Sequence, residues 1–216
     1  MNLAEKKILI VDLGLGNLGS VISAVTRLGF NYEKLKYPPE NEINNAYTHL
    51  ILPGVGSFDK GMLSLEQSGF KEWIPNFWVK NKKPLLGICL GMQLLATNGN
   101  EGARDSQLIE GLDLIPGEIR KITNDKNTLL PHVGWNEVCM ENSEEFIFND
   151  IPNRGDFYFV HSYAFNAKNS GNILAKTKYG KSFCSAIKKN LCFGVQFHPE
   201  KSQKLGNLLL KNFFNL

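Results

Sequence analysis

Ile8-Leu9-Ile10-Val11-Asp12-Leu13-Gly14-Leu15-Gly16-Asn17-Leu18-Gly19 is the stretch on which the fold turns. Ile8–Val11 is short, apolar and β-branched, the texture of a strand buried on both faces. Asp12 and the glycines close it. Apolar residues then recur at Leu18, Val21, Ile22, Val25 and Leu28, the spacing of one helix face, and Gly29 stands where that helix would end. Strand, glycine turn and helix together open an α/β domain built on a parallel sheet.

The pattern repeats outward. His49–Leu52 reads as a second buried strand running into Pro53-Gly54-Val55-Gly56. A helical segment follows, with a break expected at Pro75. Leu85–Ile88 reads as a third buried strand. It meets Cys89-Leu90-Gly91-Met92-Gln93-Leu94-Leu95, which has helical character, and Asn98–Glu110 reads as a polar loop. Beyond it the texture changes to short strand-like runs: Leu114–Ile122, Trp135–Cys139, Asp156–Phe165, Ile173–Lys178, Cys184–Lys188 and Leu191–Phe197. Tyr179-Gly180-Lys181 suggests a hairpin. A last helix is expected over Ser202–Phe214, with Leu205, Leu208, Leu209 and Phe213 on one face. No linker or repeat interrupts residues 1–216, which therefore read as one α/β domain with an antiparallel extension.

Composition narrows the class without naming a chemistry. The chain has 216 residues, 43% hydrophobic and 21% charged, which is ordinary globular usage. Twenty-four basic against 21 acidic residues leave +3, with no dense basic block to suggest nucleic acid. No apolar run approaches the ~18 residues of a membrane span, and the opening run is too short for a signal peptide. Cys89, Cys139, Cys184 and Cys192 show no C-x-x-C pairing and read as free thiols of a reducing, cytoplasmic compartment.

Four constellations compete for the chemistry. Gly14–Gly19 matches G-x-G-x-x-G after a strand, but it lacks the acidic residue that a dinucleotide site places after a second strand; Glu33 comes too early. A tight strand–helix turn needs glycine in any case. Gly87-Ile88-Cys89-Leu90-Gly91 has the form of a nucleophile elbow, with the thiol at a helix start whose dipole favours thiolate, and the Leu90 N–H facing a developing oxyanion. A buried cysteine packing as a small hydrophobe is the bland alternative. In Gln196-Phe197-His198-Pro199-Glu200, proline biases His198 to extended geometry, so His198 and Glu200, two apart, would face one site. Alone, that tripeptide reads equally as a surface turn. Together Cys89, His198 and Glu200 supply nucleophile, general base and orienting carboxylate. The glycines around Val55 allow a backbone that aims N–H groups at an anion, or simply a tight turn.

The order Pro53-Gly54-Val55-Gly56, GICLGMQLL from Gly87, HVGWN from His132, FVHSY from Phe159 and GVQFHPEKS from Gly194 resembles the class I, triad-type glutamine amidotransferases. Within them it looks most like the glutaminase subunits of imidazole glycerol phosphate synthases. The resemblance spans the whole chain and implies a flavodoxin-like α/β fold, a mostly parallel central sheet flanked by helices with an antiparallel strand extension. It implies that Cys89 attacks the side-chain amide of glutamine, His198 moves the proton and Glu200 holds His198. Gly54, Val55 and Leu90 would form the oxyanion hole, and Gly56, Gln93, Glu101, Ser162 and Tyr163 would grip glutamine. Asn17, Pro131, His132, Trp135 and Asn136 would face a (β/α)₈-barrel cyclase subunit that receives the ammonia. The resemblance implies no metal and no cofactor.

Two positions depart from the subgroup. Leu13 stands where an aromatic usually follows the aspartate, and Val133 where methionine is common. Both lie toward the partner. They leave open a paralogous glutaminase subunit that feeds an ATP-dependent amidating enzyme of surface-sugar biosynthesis. A lone γ-glutamyl peptidase and a dinucleotide-binding module are the alternatives from outside the subgroup.

Overall fold

The computed structural model describes residues 6–16, 18–39, 46–103, 107–122 and 129–216. The expected opening is present. β1 (Lys7–Val11) leads through the glycine turn to α1 (Gly19–Arg27), and Gly29 closes that helix at φ +81°. β2 (Asn31–Leu35), β3 (His49–Gly54), α2 (Phe58–Ser68), α3 (Phe70–Trp73) and β4 (Leu85–Cys89) follow. Then come α4 (Leu90–Leu94), β5 (Asn98–Gly99), β6 (Ile109–Glu110), β7 (Gly117–Lys121), β8 (His132–Met140), β9 (Gly155–His161) and β10 (Tyr163–Ala167). β11 (Ile173–Tyr179), β12 (Lys181–Lys189), β13 (Cys192–Val195) and α5 (Gln203–Phe214) complete the chain.

The sheet runs β2-β1-β3-β4-β13-β12-β10-β7-β5-β6. β2, β1, β3, β4 and β13 are mutually parallel, and β12, β10 and β7 continue antiparallel. β11, β8 and β9 branch off β12 as the antiparallel extension. Period-two alternation divides the core in two. Ile8 and Ile10 pack with Val21, Ala24 and Val25 of α1 and with Leu209, Leu210 and Phe213 of α5. Leu9 and Val11 face Phe58, Met62 and Leu65 of α2 and Phe70 of α3. Helices thus cover both faces, as a parallel sheet requires.

Four local expectations change. β2 escapes a hydrophobic reading because NYEKL is a polar, half-exposed edge strand. Pro75 does not end its helix: Ile74–Val79 continues as a π-turn with the proline at its start, where a missing N–H is tolerated. The loop Asn98–Glu110 holds two short strands, β5 and β6. Asp156–Phe165 is two strands, interrupted at Ser162. The Ser162 carbonyl there accepts from the Ile122 N–H at 2.9 Å, which turns the chain from the extension back into the main sheet.

Candidate active site

The sheet delivers the elbow. β4 is central, between β3 and β13, and ends at Cys89. Cys89 holds φ +53° and ψ −108°, a conformation that non-glycine residues rarely adopt and that the flanking glycines make possible. A Cβ on Gly91 would stand 1.7 Å from the Leu52 carbonyl oxygen, and one on Gly87 would stand 2.5 Å from the Gly91 oxygen. The glycine bracket is therefore a steric necessity of the sharp turn. α4 is only five residues long, so its dipole contributes less to thiolate than a full helix would.

His198 comes to the same place from the chain after β13. Its Nδ1 is 2.7 Å from Glu200 Oε1, and both side chains are nearly inaccessible, at 3% and 4%. The route differs from the one expected. His198 is extended, but Pro199–Lys201 is a 3₁₀ turn, and that turn swings Glu200 under the ring. The contact puts a proton on Nδ1 and leaves Nε2 to face the thiol. Burial disfavours imidazolium here, but the Cys89 side chain and the Glu200 carboxylate outweigh it and raise the His198 pKa. Nε2 is buried and makes no other hydrogen bond among the described residues, which leaves it free for the Cys89 side chain whose influence it feels.

The other expected site residues lie as follows. Register places Gly54 beside Cys89, and Val55, 39% exposed, packs so that a Cβ on Gly16 would come within 2.2 Å of its Cγ2. Gly56 holds φ +120°. Leu90 begins α4 directly after the sulfur-bearing residue. The Gln93 Nε2 group donates to the Tyr163 carbonyl and to Gln196 Oε1, each at 3.0 Å. Glu101 lies at the start of α2, where its carboxylate accepts from the Phe58 N–H at 3.1 Å; burial raises its pKa against that bond, and Asp59 adds to the rise. It therefore also serves as an ordinary helix cap. Ser162 lies at the break between β9 and β10.

The residues expected at a partner surface separate. Asn17 lies outside the described residues. Pro131 and Trp135 are exposed, Trp135 at 48%, whereas His132 is buried at 3%. His132 stacks on Tyr179 with ring centroids 3.9 Å apart, because its place on β8 points the ring into the aromatic cluster of the extension. Asn136 Nδ2 bonds both His132 Nε2 and the Lys178 carbonyl.

Sequence reasoning missed three neighbours. Gln196 Nε2 lies 3.7 Å from Cys89 Sγ. His161 joins His132 to Tyr163. Ser202 Oγ bonds the His198 carbonyl at 2.6 Å and accepts from the Tyr158 N–H, fixing the His198 backbone. The period-two argument used for His198 and Glu200, carried one step back, would have found Gln196. Two of the other thiols are unsuited to attack: burial pushes Cys184 up to about 12 and Cys192 up to about 11. Among the described residues no three His, Cys, Asp or Glu side chains gather as a metal-binding group, and no helix is long and apolar enough to cross a membrane.

An elbow thiol on a parallel sheet, with a buried His–Glu pair beside it, defines a cysteine-dependent class. The chain belongs to the class I glutamine amidotransferase family, whose model matches residues 9–216. Within that family it is similar to imidazole glycerol phosphate synthase subunit HisH 1 of Prochlorococcus marinus, with 50% identity over 212 residues and 97% of each chain covered. Subunit HisH 1 of Campylobacter jejuni is 41% identical, covering 97% of this chain and 100% of that one. A solved glutamine amidotransferase from Thermotoga maritima shares the fold, with a TM-score of 0.63 at 17% identity over 98% of this chain and 83% of the other.

Proposed function

We propose that this chain is the glutaminase subunit of an imidazole glycerol phosphate synthase and that Cys89, His198 and Glu200 are its catalytic triad. The observation that carries the reading is the meeting of Cys89 with the His198–Glu200 pair across a separation of 109 residues, on a chain half identical to a HisH subunit. Cys89 gives its thiol proton to His198 Nε2 as Sγ attacks the side-chain amide carbon of glutamine, and the Leu90 and Gly54–Val55 amides receive the charge that develops on oxygen. The C–N bond breaks as His198 Nε2 gives its proton to the departing nitrogen, and ammonia leaves. Water, deprotonated by His198, then opens the glutamyl thioester to glutamate and restores the thiol. Gly56, Gln93, Glu101, Ser162 and Tyr163 hold the substrate.

The relatives' names denote one subunit of a synthase, which supports a second chain as receiver of the ammonia. In this reading that chain is a (β/α)₈ cyclase making imidazole glycerol phosphate and aminoimidazole carboxamide ribonucleotide, docked against Pro131, Trp135 and Asn136. Residues 1–216 act as one domain in the cytoplasm, as four free thiols favour. The test is glutamate release from glutamine with the cyclase present. The wild-type chain should turn over and Cys89→Ala should not; glutamate release by Cys89→Ala overturns the reading. Affinity purification should recover the cyclase, and recovery of an ATP-dependent amidating enzyme instead would move the chain to the other pathway.

A further inference from the structure

Gln196 is wholly buried, two residues before His198, and its side chain touches the sulfur. Its orientation is forced. The NH₂ end of Gln93 must face the Tyr163 carbonyl, which can only accept. The second hydrogen on that nitrogen needs an acceptor, and Gln196 Oε1 provides it at 3.0 Å. The NH₂ end of Gln196 therefore faces Cys89 Sγ, 3.7 Å away. The backbone cannot shift freely to undo this, because the Gln196 N–H is bonded to the Ser185 carbonyl at 2.9 Å.

The sulfur has an opposing neighbour. The Val160 carbonyl lies 3.8 Å from Sγ and, as an acceptor, favours the protonated thiol. A donor favours thiolate, and a hydrogen bond to an ionised group is roughly twice as strong as a neutral one. We propose that Gln196 is a further catalytic residue: its amide donates to the Cys89 sulfur, offsets Val160 and ties the nucleophile to Gln93, which faces the substrate. When the S–C bond forms, negative charge leaves sulfur for the carbonyl oxygen. The Gln196 contact therefore acts on the free thiolate, before the S–C bond forms and again as that bond breaks in deacylation.

The inference rests on Cys89 being the nucleophile, and its test does not require glutamine. The full-length chain is treated with iodoacetamide and each cysteine peptide is followed by mass spectrometry, with the half-buried Cys139 as internal standard. Gln196→Met, close in shape but without donor or acceptor, should slow alkylation of Cys89 by about tenfold or more; it also lowers the melting temperature, because Gln93 loses its acceptor, so alkylation is followed well below that temperature. Gln196→Glu keeps an acceptor for Gln93 and removes the donor to sulfur. It should slow Cys89 at least as much while leaving KM for glutamine near wild type, whereas Gln196→Met raises KM. Alkylation of Cys89 within about twofold of wild type in both variants overturns the proposal. Should neither variant fold, Cys89→Ala in a chain labelled at glutamine side-chain nitrogens provides the reading. Two side-chain amide resonances should shift, and no shift overturns the proposal. Glutamate release by Cys89→Ala would sink Cys89 as nucleophile and with it the catalytic role of Gln196, whereas unchanged alkylation with an inactive Cys89→Ala would sink the role of Gln196 alone.

Discussion

Nδ1 of His132 lies 3.1 Å from Nε2 of His161, and this contact fixes the protons of both rings. His161 Nδ1 faces the Tyr163 carbonyl at 2.8 Å and must donate to it, so His161 Nε2 accepts. His132 Nδ1 then donates, and His132 Nε2 accepts from Asn136. Both rings must be neutral for this chain of bonds to exist. Burial enforces that, lowering His132 to about 4 and His161 to about 3; for His161 the Tyr163 bond opposes the fall, and a proton on His132 or on His198 would deepen it. The line of bonds continues through the Tyr163 carbonyl to Gln93, Gln196 and the sulfur.

Acid should therefore unfold the protein early. His49, lowered to about 4 by burial and then by the Lys6 charge, joins the other two. A histidine held neutral in the fold contributes stability that is complete above its unfolded pKa near 6.5 and is lost as pH falls through the folded value. Each such group steepens the loss by about 1.4 kcal/mol per pH unit within that window. Urea unfolding between pH 7.5 and pH 4.5 should show a steep fall below about pH 6.5. His49→Leu, which removes the ring and its Nδ1 contact with Thr48 at 2.9 Å, should make it shallower. A flat profile would contradict this account.

The His198–Glu200 contact should matter for rate more than for binding. Glu200→Gln removes the charge that favours imidazolium and allows the amide to donate to Nδ1, which selects the wrong tautomer. With the partner present, kcat should drop by about 10²–10⁴ with little change in KM. Steady-state kinetics decide it, and a loss under about tenfold would show that Glu200 is not the orienting group.

Gly91→Ala should abolish folding. The new methyl group would meet main chain of a central strand, the Leu52 carbonyl at 1.7 Å, where no side chain can swing away. A cost above about 4 kcal/mol is expected, seen as insoluble or molten protein. Gly14→Ala is the contrast. Its Cβ meets nothing within 4 Å, so only its φ of +68° is penalised, at about 1–2 kcal/mol. A normally melting Gly91→Ala protein would disprove the steric basis of the elbow.

The buried frame was legible because its residues obey simple periods. Ile8–Val11, His49–Leu52 and Leu85–Ile88 are short apolar runs ending in glycine turns, and each is a central parallel strand. β2 was not, because an edge strand written NYEKL carries no apolar period. Cys89, His198 and Glu200 could be named from sequence, yet the 3₁₀ turn that brings Glu200 to His198 could not, since proline at 199 is compatible with either geometry. His161 was invisible for another reason. Its neighbour His132 lies 29 residues away, and only the pairing of β8 with β9 places them opposite each other.

The exposed face of β8 yields the last expectation. Register puts Val133 and Trp135 on the outward side, 55% and 48% exposed, while His132 turns inward. Trp135 makes an edge contact with Tyr158 at 6.0 Å and borders a hollow of about 300 Å³ with Asp156, Ser202 and Leu205. Trp135 is about half exposed and its ring meets Tyr158 only edge-on, so Trp135→Ala should shift unfolding by about 1–2 kcal/mol. Exposed aromatic residues of this kind anchor interfaces, where truncation commonly costs about 2 kcal/mol or more. Affinity for the proposed cyclase subunit should thus weaken by more than about tenfold, measured by calorimetry, while alkylation of Cys89 in the isolated chain stays unchanged. Equal affinity for the two proteins would remove β8 from the docking surface.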